Sequence, residues 1–251
     1  MRPTALPSTV LRRTVACVAR RLATRCTGRR FASVAVSVSA LLALCWAPPV
    51  SANLRQDEIQ SCRPGELQTW PDGQDRPAAS TALHLVYRPI GAPAGLDEPS
   101  VLRALQLALA AWSACGVPGT VLSETAAATH DARSLVRVQW SEAESRGNAG
   151  LSHLGQRTLT LGPAVFQLIA SRRGRALALD TLQMTLSHEI GHFYGLMAHS
   201  RRCVDVMSYY DNGRGAQCST RDGSSYRTLP EYRASLPTAC DIARCRALNS
   251  H

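Results

Sequence analysis

From Ala178 to Gly195 the chain reads ALDTLQMTLSHEIGHFYG, and this stretch restricts the fold more than any other. Leu179, Leu182, Leu186, Ile190 and Phe193 recur at three- and four-residue spacing, the apolar stripe of a helix packed on a core. Thr181, Thr185, His188 and His192 fall on another face. Four helical residues turn through about 400°, so His188 and His192 project together from adjacent turns. The buried stripe fixes the histidine face toward a cleft.

Two stacked imidazoles can fill two corners of a zinc tetrahedron. Glu189, offset by about 100° on the helix, is placed to hold a water without ligating the metal. A catalytic zinc needs a third protein ligand and an open fourth position. Gly195 can take a left-handed conformation that ends the helix and turns the chain back. The pattern H-E-x-x-H-x-x-G-x-x-H would then place a histidine at position 198. Ala198 stands there and His199 follows, so a third ligand at His199 requires a turn one residue longer.

Upstream, Leu83, Leu85 and Tyr87 alternate with His84, Val86 and Arg88, which is strand spacing. Asp97 can cap a helix in which Val101, Leu105, Ala108, Leu109 and Trp112 form one stripe, and Gly116 and Pro118 stop it. Residues 134–140 predict a second strand, with Val136, Val138 and Trp140 on one face. The stretch 141–150 reads as a polar loop, and Arg157 to Leu161 as a third, edge strand able to pair with an extended substrate. Strand, helix, strand, strand, helix implies an α+β fold with a mixed sheet.

The net charge of +10 is a property of the leader. Residues 1–52 hold eight arginines and no acidic residue, whereas the rest sets 20 arginines against 18 acidic residues. That near balance excludes a nucleic-acid partner. The uncharged run from Phe31 to Trp46, followed by Pro48, Pro49, Val50 and Ala52, predicts a signal peptide over 1–52 with cleavage after Ala52. Residues 53–80 read as an irregular N-terminal arm, and 81–251 as the catalytic domain. A secreted or periplasmic protein follows, touching a membrane only through an uncleaved leader. Six cysteines remain beyond the leader, permitting three disulfides. Pairing neighbours in sequence joins Cys203–Cys218 and Cys240–Cys245, leaving Cys62–Cys115 among fifteen possible connectivities. Cys62 is read as a disulfide member rather than a latency cysteine held on zinc.

HEIGHFYGLMAH followed by DVMSYY resembles the metzincin clan of zinc endopeptidases, nearest to the matrixin-like members, over roughly residues 82–210. The resemblance implies a twisted mixed sheet with two main helices over a small irregular C-terminal subdomain, and a zinc cleft between them. It implies Zn2+ held by His188, His192 and His199, with Glu189 as general base and Met207 in a methionine turn beneath the metal. Tyr209, two residues after that methionine, matches the astacin- and serralysin-like branches, where a tyrosine approaches the zinc and can donate to an oxyanion. The substrate implied is a protein or peptide. The residues leave two other readings open: an inactive zinc-binding interaction domain, which a fourth ligand such as Asp205 would favour, and an amide hydrolase acting on non-protein substrates. No acidic cluster in 141–162 points to calcium or a second zinc.

Overall fold

The computed structural model describes residues 50–211, 213–224 and 231–250; most of the expected signal peptide lies outside these residues. The chain is α+β. Its elements, in order, are α1 (Val50–Gln60), β1 (Leu83–Tyr87), α2 (Glu98–Trp112), β2 (Gly119–Leu122), α3 (Glu124–Ala127), β3 (Leu135–Trp140), α4 (Glu142–Ser145), β4 (Gly150–His153), β5 (Thr158–Leu161), α5 (Pro163–Arg173), α6 (Arg175–Phe193) and α7 (Ala239–Asn249). The five-stranded sheet runs β2-β1-β3-β5-β4. All neighbours are parallel except β4, which pairs antiparallel with β5 through Gly150↔Leu161 and His153↔Thr158.

The core lies where α2 and α6 cover one face of the sheet. Leu85, Val136, Val138, Leu159 and Leu161 meet Leu105, Leu109, Trp112, Leu182, Leu186 and Ile190, and all are at most 1% exposed. The α2 stripe is the one the sequence predicts, and Asp97 caps it by accepting the Ser100 amide at 2.9 Å. Trp112 Nε1 donates to Ser187 O at 2.9 Å and Gln183 Nε2 to Ala104 O at 3.1 Å, which fixes α2 along α6. On the opposite face of the sheet a cavity of about 370 Å³ is lined by Arg88, Arg137 and Arg157 over Val86 and Leu135, with none of His188, His192 and His199 in its wall.

Several expectations need correction. The arm is not wholly irregular: residues 53–60 belong to α1, which runs across the expected cleavage point after Ala52. The stretch 141–150 contains α4 and the first residue of β4. The strand expected at an edge, Arg157 to Leu161, is instead interior: β5 is paired on both sides and buried at all four positions. Its threonines look solvent-facing in sequence, yet Thr158 Oγ1 donates to Gln156 O at 3.2 Å and Thr160 Oγ1 to Glu144 Oε2 at 3.2 Å. The edge beside the site helix is β4.

Two of the three expected disulfides are also wrong. Cys203–Cys218 forms, with Cα atoms 5.0 Å apart, but the other pairs are Cys62–Cys240 and Cys115–Cys245, at 4.8 and 5.5 Å. Cys240 and Cys245 lie five residues apart on α7. That is about 500° of rotation, so their side chains diverge by roughly 140° and cannot meet. The two cysteines staple α7 to the arm and to the end of α2 instead. Three disulfides fit an oxidising, extracellular or periplasmic compartment. No helix among the described residues is long and apolar enough to cross a membrane.

Candidate metal centre

Helix α6 carries His188, Glu189 and His192 and ends at Phe193; Gly195, two residues on, has a left-handed φ of 102°, as the sequence predicts. Gly195 has a second reason to be glycine: a Cβ there would run into the carbonyl oxygen of Arg76. The chain then turns back through Leu196 to His199. His188, His192 and His199 each offer a ring nitrogen, and the three atoms lie within 4.8 Å of one another. The extra residue between Gly195 and His199 is therefore accommodated.

The N-terminal arm accommodates it. Asp75 Oδ1 accepts the amides of Met197 at 2.8 Å and Ala198 at 2.9 Å, and Asp72 Oδ1 accepts the amide of His199 at 3.1 Å. Gly73 lies between these aspartates against the 197–198 peptide, where a Cβ would come within 2.9 Å of Ala198 N. Trp70 N donates to His199 O at 2.8 Å. From the other side Arg244 on α7 donates to Ala198 O and pairs with Asp75. Each group in this clasp comes from far along the chain, and the sequence reading assigned it no role.

Every Nδ1 of the trio is engaged. His188 Nδ1 meets Val206 O at 2.7 Å, His192 Nδ1 meets Leu196 O at 2.7 Å, and His199 Nδ1 meets Asp72 Oδ2 at 2.7 Å. Oxygen acceptors on all three Nδ1–H groups leave the Nε2 lone pairs for a shared cation. His188 Nε2 and His199 Nε2 are 3.2 Å apart. Zn–N bonds of about 2.0–2.1 Å at tetrahedral angles separate ligand nitrogens by roughly 3.3 Å. The residues present fit a metal ion of this class. Among the described residues, no fourth His, Cys, Asp or Glu joins the trio.

Burial first, and then the charge of a neighbouring histidine, hold His188 at about 3 and His192 at about 4, so both stay neutral and ligand-ready at ordinary pH. Glu189 is 8% exposed, and burial pushes its carboxyl above the usual range. Ser152 of β4 donates to Glu189 O at 2.8 Å, and a Cβ on Gly150 would lie 2.8 Å from Glu189 Cγ. The edge strand is thus packed directly against the acid.

Met207 is fully buried against Gly191 of α6. Asp241 Oδ2 accepts Val206 N at 2.9 Å and so holds the turn whose carbonyl orients His188. Asp205 is buried in hydrogen bonds with Ser200, Arg202 and Thr238 and does not reach the trio. Tyr209 is at the centre, its ring 4.5 Å from that of His199, with its hydroxyl donated to Asp72 Oδ2 at 2.6 Å. Burial and that bond raise the Tyr209 pKa. Burial opposes charge on Asp72, but the hydrogen bonds from Tyr209 and His199 outweigh it and keep its carboxyl below the usual range. Two cavities flank the trio: one of about 310 Å³ between Arg76, Pro77, Leu154, His192 and Phe193, and one of about 150 Å³ between Trp70, Asp72, Tyr209 and Arg214.

No protein-family model matches the chain, and no curated protein matches it. Among solved structures, a chain of the "GM1 bound form of the ECX AB5 holotoxin" superposes with a TM-score of 0.45 at 10% identity, over 72% of this chain and 91% of that one. A likeness of that depth carries no functional argument.

Proposed function

We propose that this protein is an exported zinc-dependent endopeptidase of the metzincin type, acting on protein or peptide substrates. One observation carries the reading: three imidazoles with occupied Nδ1 atoms turn their remaining nitrogens toward one point, next to a buried glutamate of raised pKa. Zinc held by His188, His192 and His199 would supply Lewis acidity toward one water and the scissile carbonyl.

The chain's own residues do the rest. Glu189 accepts the proton of the attacking water and returns it to the leaving amine, a task suited to a carboxylate whose pKa burial raises. The outer side of β4, beside Glu189, offers backbone groups to an extended substrate by strand addition. Tyr209 can donate to a developing oxyanion after its hydroxyl leaves Asp72. The rival reading of a closed structural site requires a fourth protein ligand, and Asp205 is committed elsewhere.

The test is cleavage of an unfolded protein by the oxidised, zinc-loaded protein beside its Glu189→Ala form. Loss of cleavage in the variant at unchanged zinc content is the expected result. No cleavage by either, with one zinc bound in both, would sink the endopeptidase reading.

A further inference from the structure

We propose that Asp72 is a positioning residue for the metal ligand His199, which makes the arm segment 70–75 a working part of the metal centre. The inference rests on the zinc reading above. His188 and His192 are fixed by α6, and their Nδ1 atoms bond to main-chain carbonyls close to the site. His199 has no such support. It sits in a loop, outside helix and strand, and no main-chain carbonyl holds its Nδ1.

Asp72, 127 residues earlier, supplies both constraints. Its Oδ1 takes the His199 amide at 3.1 Å and fixes the backbone; its Oδ2 takes Nδ1–H at 2.7 Å and fixes ring angle and tautomer. A carboxylate on Nδ1–H also raises the basicity of the ligating nitrogen. Three successive amides, of Met197, Ala198 and His199, turn toward the carboxylates of Asp75 and Asp72. The longer turn thus has its three amide donors satisfied by one short piece of the arm, and the third ligand reaches the metal only with that piece docked.

Asp72→Asn separates positioning from mere support. The amide keeps the size of the carboxylate but can present NH2 to Nδ1, which favours the tautomer protonated on Nε2 and unable to ligate. Zinc affinity, read by chelator competition, is expected to fall roughly 10–100-fold. The metal-free melting temperature should change little, and nitrogen NMR should show the His199 tautomer switched. Asp75→Asn touches no imidazole; it is expected to lower the melting temperature more and zinc affinity less. Gly73→Ala, which pushes the arm off the loop with both carboxylates intact, should weaken zinc binding as well.

The proposal falls if Asp72→Asn binds zinc within about threefold of wild type, a change too small for a lost outer-shell partner. It also falls if affinity simply tracks melting temperature across the variants. Should Asp72→Asn fail to fold, unchanged affinity in Gly73→Ala overturns it. A wild-type protein that binds no zinc, or His188→Ala that binds as tightly, defeats the metal centre itself and this inference with it.

Discussion

Arg244 on α7 grips Asp75 on the arm through Nε to Oδ2 at 2.7 Å and Nη2 to Oδ1 at 3.0 Å. The same guanidinium reaches Ala198 O, so one side chain closes a ring of arm, ligand loop and last helix. The pair is largely shielded, with side chains 11% and 19% exposed. Arg244→Met should leave a carboxylate facing the loop without its cation, costing about 2–3 kcal/mol, somewhat below the cost for a fully buried pair. A melting temperature lower by roughly 4–12 °C would register it, and a shift under 2 °C would show the clasp to be slack.

How much of this could be read in the sequence depends on whether signal and partner share a short stretch. Helix α6 was legible because its stripe, histidine spacing and terminal glycine all lie within 18 residues. Strands β2 and β4 were not, since four residues beside glycines and prolines give no alternation to detect. Helix α5 hides for another reason: only Phe166 of its eleven residues is buried. Asp72, Asp75 and Arg244 were illegible in principle. Asp72 and Asp75 meet the ligand loop across more than a hundred residues and Arg244 meets Asp75 across 169, and an aspartate in a PDGQD turn looks like any other turn aspartate. Two of the three disulfides hide for the same reason: Cys240 lies five residues from Cys245 in sequence but bonds Cys62, 178 residues away, whereas the local pair Cys203–Cys218 is legible.

Gly150 of β4 sits where a Cβ would approach Thr185 Cγ2 to 2.5 Å and Glu189 Cγ to 2.8 Å. Gly150→Ala must therefore displace the glutamate or the strand, at about 1–3 kcal/mol for overpacking. Peptide cleavage is expected to drop at least about tenfold, since a misplaced base loses proton-transfer efficiency. Zinc content should stay at the wild-type level. Full activity would show that the strand or Thr185 yields and the glutamate keeps its place.

The Cys62–Cys240 bridge closes a loop of 178 residues between the arm and α7, the two segments that clasp the ligand loop. The double change Cys62→Ser, Cys240→Ser should cost about 2–5 kcal/mol. It should also speed zinc release, because Asp72 and Arg244 then hold the loop without a covalent brace. Zinc loss timed against thiol exposure under mild reductant would check the coupling; full reduction with zinc retained would refute it.

Asp205 lies buried beside Asp241, and burial, then that neighbouring carboxylate, push its pKa well up. The unfolded chain releases this proton near pH 3.9, while the folded protein keeps it to higher pH. The stability it contributes is therefore complete below that value and is lost as pH rises through the folded pKa. Asparagine cannot ionise, so on top of a constant loss from the donors of Ser200, Arg202 and Thr238, the stability of Asp205→Asn relative to wild type should rise between pH 5 and 8, by up to about 1.4 kcal/mol per pH unit over which the proton is held. Paired urea titrations at several pH values would show the gain, and a difference constant with pH would rule it out.

Tyr209 and His199 share one oxygen, Asp72 Oδ2, at 2.6 and 2.7 Å. Tyr209→Phe removes the first bond and leaves the second, so zinc affinity should hold within about threefold, well short of the loss typical of a missing outer-shell partner. Cleavage should respond differently. A hydroxyl that swings from Asp72 to a developing oxyanion acts in the transition state alone, and its loss lowers kcat by about 10–100-fold with KM unchanged. A phenylalanine variant with wild-type kcat and weakened zinc would assign the hydroxyl to Asp72 alone. Tyr209 would then be a brace for the metal centre, and the oxyanion would have to find its donor elsewhere.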